Sequence, residues 1–423
     1  MKKKLGLGIV LGLVALSACA VAVYEVFIVK RGWVKNETGT YYYDDFGKPY
    51  SGLKTMPDNT IRYFDPATNV MVTGEAEIDG GRYLFDGDGR MLYGYQTVNS
   101  KGRYYDPSTG KMQTGWIDSE KGKMYFGEDG NCASGLTAID GYQYFFDTET
   151  GVMTKGKIDI NGDTYSFDEK TGIGVDGIID EGGAKHGYIG GRQLKDVRAY
   201  DGNNIYYFDK DGNVAREVDG SKPMVALTYD DGPSIYTNSI IDTFEEYGQK
   251  CTFFIVGDRI AQNEEVSKRE AALGYQQGNH TYGHNRLTSL DEAGIKEKLK
   301  KTDDELIRIS GKPSTCLRPP EGRYNDTVKA VCGLPIILWS IDSRDWESRD
   351  CDKVCEQVIG KVKDGDIVLM HDLYKSTSEA TKKIVPELVK AGFQLVTVEE
   401  MGIIKTGGKG LVNGSVYNRI TGK

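Results

Sequence analysis

The chain has 423 residues, with 62 acidic and 53 basic side chains, a net charge of −9 and seven cysteines. At roughly 100–200 residues per domain, that length predicts two or three domains. The negative balance excludes nucleic acid as the main partner, because phosphate backbones are bound by clustered Lys and Arg. Seven cysteines over this length exclude a disulfide-built scaffold. Only four histidines are present, so their positions carry information.

Residues 1–31 read as a signal peptide or membrane anchor. Met1–Lys4 is basic, Leu5–Val29 is apolar except for Tyr24 and Glu25, and Lys30-Arg31 closes the segment. A run of about 18 or more apolar residues can cross a bilayer as a helix. The basic start and the small residues at Ala18-Cys19-Ala20 also fit a cleavable export signal. Leu16-Ser17-Ala18-Cys19 further resembles a bacterial lipoprotein cleavage box, which would lipidate Cys19. Each alternative exports the remainder, so the expected location is the extracellular face of the cell membrane or the cell wall.

Residues 32–175 form a repeat array. Glycine recurs at Gly32, Gly52, Gly74, Gly94, Gly115, Gly135 and Gly156, a period of about 20–22 residues that marks repeat architectures. An aromatic cluster follows each one, such as Tyr63-Phe64, Tyr104-Tyr105 or Tyr125-Phe126, and then a Gly/Asp turn such as Asp106-Pro-Ser-Thr-Gly110. Alternating aromatic and β-branched residues around such turns predict short hairpins, which bury their faces only by stacking on neighbours. Residues 176–221 read as a degenerate repeat and linker, with His186 as a solvated loop residue. The repeats resemble the cell-wall-binding units of the choline-binding and glucan-binding families. In the choline-binding form, aromatic cages hold a quaternary ammonium by cation–π attraction, so the resemblance implies a choline or glucan ligand. Residues 32–175 carry 22 acidic against 14 basic side chains, a surface that tolerates a cation. A spacer whose aromatics are only its core is the alternative.

From residue 222 to 404 strand and helix patterns alternate. Strands are expected at 224–229, 252–256, 316–318, 335–341, 366–370 and 394–398. Helices are expected at 240–247, 264–273, 291–309, 326–332, 352–362 and 377–391. Repeated β–α units of this size predict an α/β fold with a parallel sheet or an incomplete (β/α) barrel, followed by a tail at 405–423. Chemistry in such folds sits on the loops after the strands, and the polar residues obey that rule: Asp230, Asp231, His280, His284, Arg318, Asp342, Asp345 and His371 all follow predicted strands. His280-Thr-Tyr-Gly-His284 spaces two imidazoles for one ion. Joined to Asp230-Asp231, it offers two His and a carboxylate with a second acid left free, the composition of an open catalytic metal site.

Thr228–Pro233, His280–His284, Arg318–Gly322, Asp342–Trp346 and Leu369–Asp372 resemble, in order, the five motifs of the polysaccharide deacetylases (carbohydrate esterase family 4, the NodB-homology group). The resemblance implies a distorted (β/α) barrel. It makes Asp231, His280 and His284 ligands of a divalent metal, with zinc first and cobalt or nickel as alternatives. It makes Asp230 the general base, held by Arg318, and His371 the general acid, oriented by Asp345. Trp346 and Leu369 would wall the acetyl pocket, and the backbone N–H of Glu321 would serve the oxyanion. Tyr229 and Glu321 depart from the commoner Phe and Tyr of the motifs. The implied activity is removal of N-acetyl groups from a wall glycan, with peptidoglycan N-acetylglucosamine as the expected substrate. Chitin oligomers and acetylated xylan are the alternatives, and a non-catalytic wall-binding protein is the rival from another class. Two cysteine pairings remain open from spacing, Cys316 with Cys332 and Cys351 with Cys355, beside free buried thiols.

Overall fold

The computed structural model describes residues 8–10 and 27–422. The remainder of the expected export or anchor segment, residues 1–7 and 11–26, lies outside the described residues. Within that segment Gly8–Val10 pairs antiparallel with Phe27–Val29. Among the described residues no helix is long and apolar enough to cross a membrane. The chain divides into two units, Met1–Val175 with Gly190–Arg192, and Asp176–Ile189 with Gln193–Lys423.

The first unit is built from antiparallel hairpins, beginning with Gly32–Asn36 against Gly39–Tyr43 and ending with Gly156–Ile160 against Asp163–Phe167. The leading glycine of each hairpin faces the last aromatic ring of its partner strand, as in Gly52↔Phe64, Gly74↔Phe85 and Gly115↔Phe126. Those rings are buried. Gly115 has a φ of +84°, a conformation open to glycine at little cost. In all but one repeat an aspartate directly after the aromatic cluster closes the turn, Gly127 standing there in the exception: Asp65 Oδ1 accepts from the Ala67 and Thr68 amides at 3.0 and 2.8 Å, and Asp106 repeats the arrangement with Ser108 and Thr109. Stacking is also specified by backbone bonds between hairpins, including Met91 N to Ile61 O and Met153 N to Lys123 O, both 2.8 Å. A single hairpin is marginal in water, so these contacts between neighbours are what make the array.

In the second unit the central strand, Met224–Asp230, is buried at all seven positions, as expected of a parallel strand covered on both faces. Parallel neighbours run outward from it to Thr252–Ile255 and Gln276–Asn279 on one side, and to Ile367–His371 and Ile341–Asp342 on the other. Parallel bridges continue from Asn279 to Leu317 and from Leu317 to Ile336. The expected tail is part of this fold. Val416–Tyr417 pairs with Ile336–Ile337, Arg419 bridges Asp366, and Ile420 is buried. The expected strand at 394–398 stops at Leu395. Thr397 then opens a capping box for the helix Val398–Lys405, because a Thr three residues before Glu400 satisfies two orphan amides at once. All six described cysteines are free, so neither weighed disulfide forms.

Residues 198–218, expected as a degenerate repeat copy and linker, form a three-stranded antiparallel sheet, Arg198–Tyr200, Ile205–Phe208 and Val214–Val218, in which the last two strands are a hairpin of the repeat kind. Ile205 and Val218 share a buried cluster with Met224, Ala226, Phe254 and Met401. Beneath it, fully buried Glu400 pairs with Arg216 and accepts from the Tyr207 hydroxyl at 2.6 Å. Burial opposes the Glu400 charge, but Arg216 and Tyr207 outweigh it and lower its pKa. His186 is not a loop residue either. It lies on the strand Ala184–Ile189, its Nδ1 3.0 Å from the Gly212 carbonyl. Arg216→Met is expected to destabilise this unit by about 3–5 kcal/mol, because Glu400 is left as a buried charge without its partner. Urea unfolding checks this, and pairing the change with Glu400→Gln should recover much of the loss.

Candidate metal and catalytic centre

The strands of the second unit deliver the polar residues to one end. Asp230 ends the central strand and Asp231 follows it. His280 follows Gln276–Asn279, and His371 ends Ile367–His371. One cavity of about 410 Å³ is lined by Asp230, Asp231, His280, His284, Glu321, Trp346, Leu369 and His371. Gly322, Trp339, Asp342 and Tyr374 complete its wall. Arg318 and Asp345 are fully buried behind it, each bonded to a lining residue.

Asp231, His280 and His284 each offer a ligand atom, all within 4.8 Å of one another. The Nε2 atoms of His280 and His284 lie 3.4 and 3.3 Å from Asp231 Oδ1. That oxygen is buried and makes no hydrogen bond, an orphaned acceptor of the kind a cation satisfies. His280 Nδ1 donates to the Arg318 carbonyl at 2.6 Å, which leaves Nε2 facing the site, the usual support of a metal-ligating imidazole. The residues present therefore fit a divalent ion: two imidazole nitrogens and one carboxylate, with room beside them. Burial works against the Asp231 charge, but the close approach of His280, with His284 and His371, pulls its pKa well below the ordinary value. Burial and the neighbouring His280 push the His284 pKa down, in the direction of the neutral, ligating form.

Asp230 is held by Arg318, whose Nη1 donates to its Oδ1 at 2.6 Å and to Thr228 Oγ1 at 2.8 Å. The remaining guanidinium nitrogens donate to the Ile337 and Leu338 carbonyls, and the group lies 4.0 Å from the Phe254 ring centroid. Across the cavity, His371 Nδ1 is 2.8 Å from Asp345 Oδ1. Asp345 Oδ2 also accepts from the His371 amide and from Thr377 Oγ1, each at 2.7 Å. Burial alone would lower the His371 pKa. The Asp345 hydrogen bond and charge, with Asp230 and Asp231, raise it instead to about 9.

The loop at residues 230–233 is secured at four successive carbonyls. The Asp372 amide donates to Asp230 O and Arg259 Nη1 to Asp231 O, while the Val256 amide takes Gly232 O and Asn263 Nδ2 takes Pro233 O. Gly232 lies so close to the Asp372 carboxylate that a Cβ there would overlap it. From residue 222 onward, the described non-glycine residues with positive φ are Asp231, Thr281, His284, Glu321, Arg344 and Arg349. They cluster on the loops around the cavity, where backbone strain is characteristic of functional sites. Glu321 has a φ of +59°, and its carboxylate is drawn outward between Arg286 and Arg323 at 2.7 and 3.0 Å. Arg259, Thr377 and Tyr374 were not found from sequence, since side chains that bond a backbone carbonyl or back up a neighbour leave no spacing signal. Asp372 stands inside the quoted fifth motif.

A family model described as polysaccharide deacetylase matches residues 217–333, and one described as choline-binding repeat matches residues 72–115 and 133–173. Among curated proteins, a peptidoglycan-N-acetylmuramic acid deacetylase, PdaC of Bacillus subtilis, is 34% identical over 189 residues, 44% of this chain and 40% of PdaC. A peptidoglycan-N-acetylglucosamine deacetylase, PgdA of Listeria monocytogenes, is 37% identical over 178 residues, 42% of this chain and 38% of PgdA. The chain thus spans about two fifths of the length of these two relatives. A peptidoglycan-N-acetylglucosamine deacetylase of Bacillus cereus is 33% identical over 202 residues, covering 45% of this chain and 93% of that protein. The solved structure of PdaC is 34% identical, covers 44% of this chain and 94% of its own, and superposes with a TM-score of 0.44. With a match that takes in nearly the whole Bacillus cereus protein, the chain belongs to the polysaccharide deacetylase family, with choline-binding repeats ahead of its deacetylase region.

Proposed function

We propose that the chain is a metal-dependent hydrolase that removes N-acetyl groups from a cell-wall glycan, the N-acetylglucosamine of peptidoglycan, and releases acetate. The observation that carries this reading is the meeting, in one cavity, of the Asp231–His280–His284 donor set with an Arg318-bound carboxylate and an Asp345-bound imidazole. The relatives named as peptidoglycan deacetylases support the choice of glycan. The choline-binding repeats support a place in the wall, and the apolar stretch of residues 5–29 supports export or anchoring at the extracellular face. The reading of the second unit as a distorted (β/α) barrel rests on the segment 336–342. Its start pairs towards Leu317 and its end pairs with Ile367–His371, with residues 416–420 filling the remaining gap.

Asp231, His280 and His284 would hold a divalent ion, zinc first and cobalt or nickel as alternatives, which would supply Lewis acidity and lower the pKa of water to about 7. Asp230, fixed by Arg318, takes the proton of the attacking water. The Glu321 backbone N–H serves the developing oxyanion, and Trp346 and Leu369 wall the acetyl group. His371, protonated at neutral pH because Asp345 raises its pKa to about 9, gives its proton to the departing nitrogen. The C–O bond to water forms, the C–N bond breaks, and acetate and a free amine result. One group accepts and another donates because their surroundings differ, the usual division of labour in acid–base catalysis.

The decisive measurement is acetate release from purified peptidoglycan by the full chain. Release that a chelator stops and zinc restores is expected. Release only from O-acetylated xylan or from chitin oligomers would transfer the activity to those substrates, and no release from any of them would end the proposal. Asp230→Asn is expected to keep zinc stoichiometry while lowering kcat by about 10²–10⁴-fold, the span of a lost general base. Near-normal turnover would remove Asp230 from that role. Activity needs His371 protonated, so it should persist up to about pH 9 and fall above it. Asp345→Asn removes the carboxylate that raises this pKa most, so the alkaline limb of kcat should move to lower pH, and an unmoved limb would assign the proton to another donor.

A further inference from the structure

Three hairpins carry an aromatic ring directly after their leading glycine, at Trp33, Tyr95 and Trp116. Each ring has a cation of this same chain over it. Arg62 lies 4.9 Å from the Trp33 centroid, Lys121 5.1 Å from Tyr95 and Lys123 5.4 Å from Trp116. All are inside the distance at which a cation is held by an aromatic face. The other hairpins have Leu53, Glu75, Leu136 or Lys157 at that position and no ring to cover.

The first of these arrangements is a built one. Trp33 stands 5.0 Å from Tyr42 and 6.2 Å from Phe64, and Tyr50 stands 4.7 Å from Tyr42 and 5.8 Å from Phe64. The four rings form a box across the first two hairpins. Arg62, over the Trp33 face of the box, is only 5% exposed, whereas Lys54, 6.0 Å from the Tyr50 ring on another face, is exposed. Its guanidinium is matched by the Asp58 carboxylate at 3.3 Å and by the Asp88 carbonyl at 3.1 Å. A quaternary ammonium has no N–H, so it can replace the charge of Arg62 but neither of those hydrogen bonds. The tethered group also competes at an effective concentration that a free ligand does not reach. Lys121 and Lys123 are exposed and cover their rings less firmly.

We propose that Arg62 is the resident cation of the Trp33–Tyr42–Tyr50–Phe64 box, which makes the contact between the first two hairpins a structural joint closed to quaternary-ammonium ligands. Fluorine NMR of the full chain carrying fluorotryptophan tests this, with Trp33→Phe identifying the Trp33 resonance and choline chloride exchanged for sodium chloride at constant ionic strength. The wild-type Trp33 resonance is expected to stay in place, and Arg62→Gln should make it shift saturably with choline. Arg62→Lys keeps a cation and should remain silent. A saturable shift of Trp33 in the wild-type chain would overturn the proposal, since the box then admits an ammonium with Arg62 present. A silent Arg62→Gln that retains a dispersed Trp33 resonance would also overturn it, because the rings would then be core and not a cation box. The wild-type titration decides the closure even if Arg62→Gln fails to fold.

Discussion

Arg318 carries a full charge with no exposure to solvent, and the candidate centre depends on how that charge is balanced. Its guanidinium gives hydrogen bonds to the Asp230 carboxylate, to Thr228 and to two carbonyls of the 337–338 segment, and it lies over the Phe254 ring. Its carbonyl accepts from His280 Nδ1. One residue therefore orients both the Asp230 carboxylate and the His280 imidazole, and it ties them to three different strands. A planar fork with five donors suits that task, and a lysine could not reproduce it. A buried cation is costly unless every partner is present, so the arrangement is close to all-or-none.

The same economy governs the opposite wall. Asp345 has no exposure and spends its two oxygens on His371, on the His371 and Trp346 amides and on Thr377. The imidazole is left with one free nitrogen towards the cavity and a raised pKa. The loops that carry these groups are held in left-handed conformations at Asp231, His284, Glu321 and Arg344. Such conformations persist where surrounding bonds over-determine them. The four secured carbonyls of residues 230–233 are one such set, and the two arginines that hold Glu321 are another.

The repeat array uses aromatic rings for two purposes. The second ring of each cluster, such as Phe64 or Phe126, is buried against the leading glycine of its partner strand. Where a ring follows the leading glycine, at Trp33, Tyr95 and Trp116, it meets a cation of the chain itself. In an array with an excess of acidic side chains those cations also relieve like-charge repulsion, so packing and electrostatics favour the same contacts.

The sequence by itself determined the period of the repeats, most of the strand and helix order of the second unit, and most residues of the cavity. Those signals are local: a glycine every hairpin, an apolar run at 224–229 leading into Asp230, an imidazole pair four residues apart. The hairpin at 205–218 was legible as a last, degenerate repeat, but its place in the core of the second unit and the strand at 416–417 were not, because each gains its place only by burying Val218 or Ile420 against residues distant in the chain. Arg259 and Thr377 were not legible for the same reason, since their partners are a backbone carbonyl and a carboxylate 28 and 32 residues away. Nor could spacing reveal that Arg62 closes an aromatic box, which depends on two hairpins meeting. Only the tertiary structure decides such contacts, because their free energy comes from desolvating groups that the chain brings together when it folds.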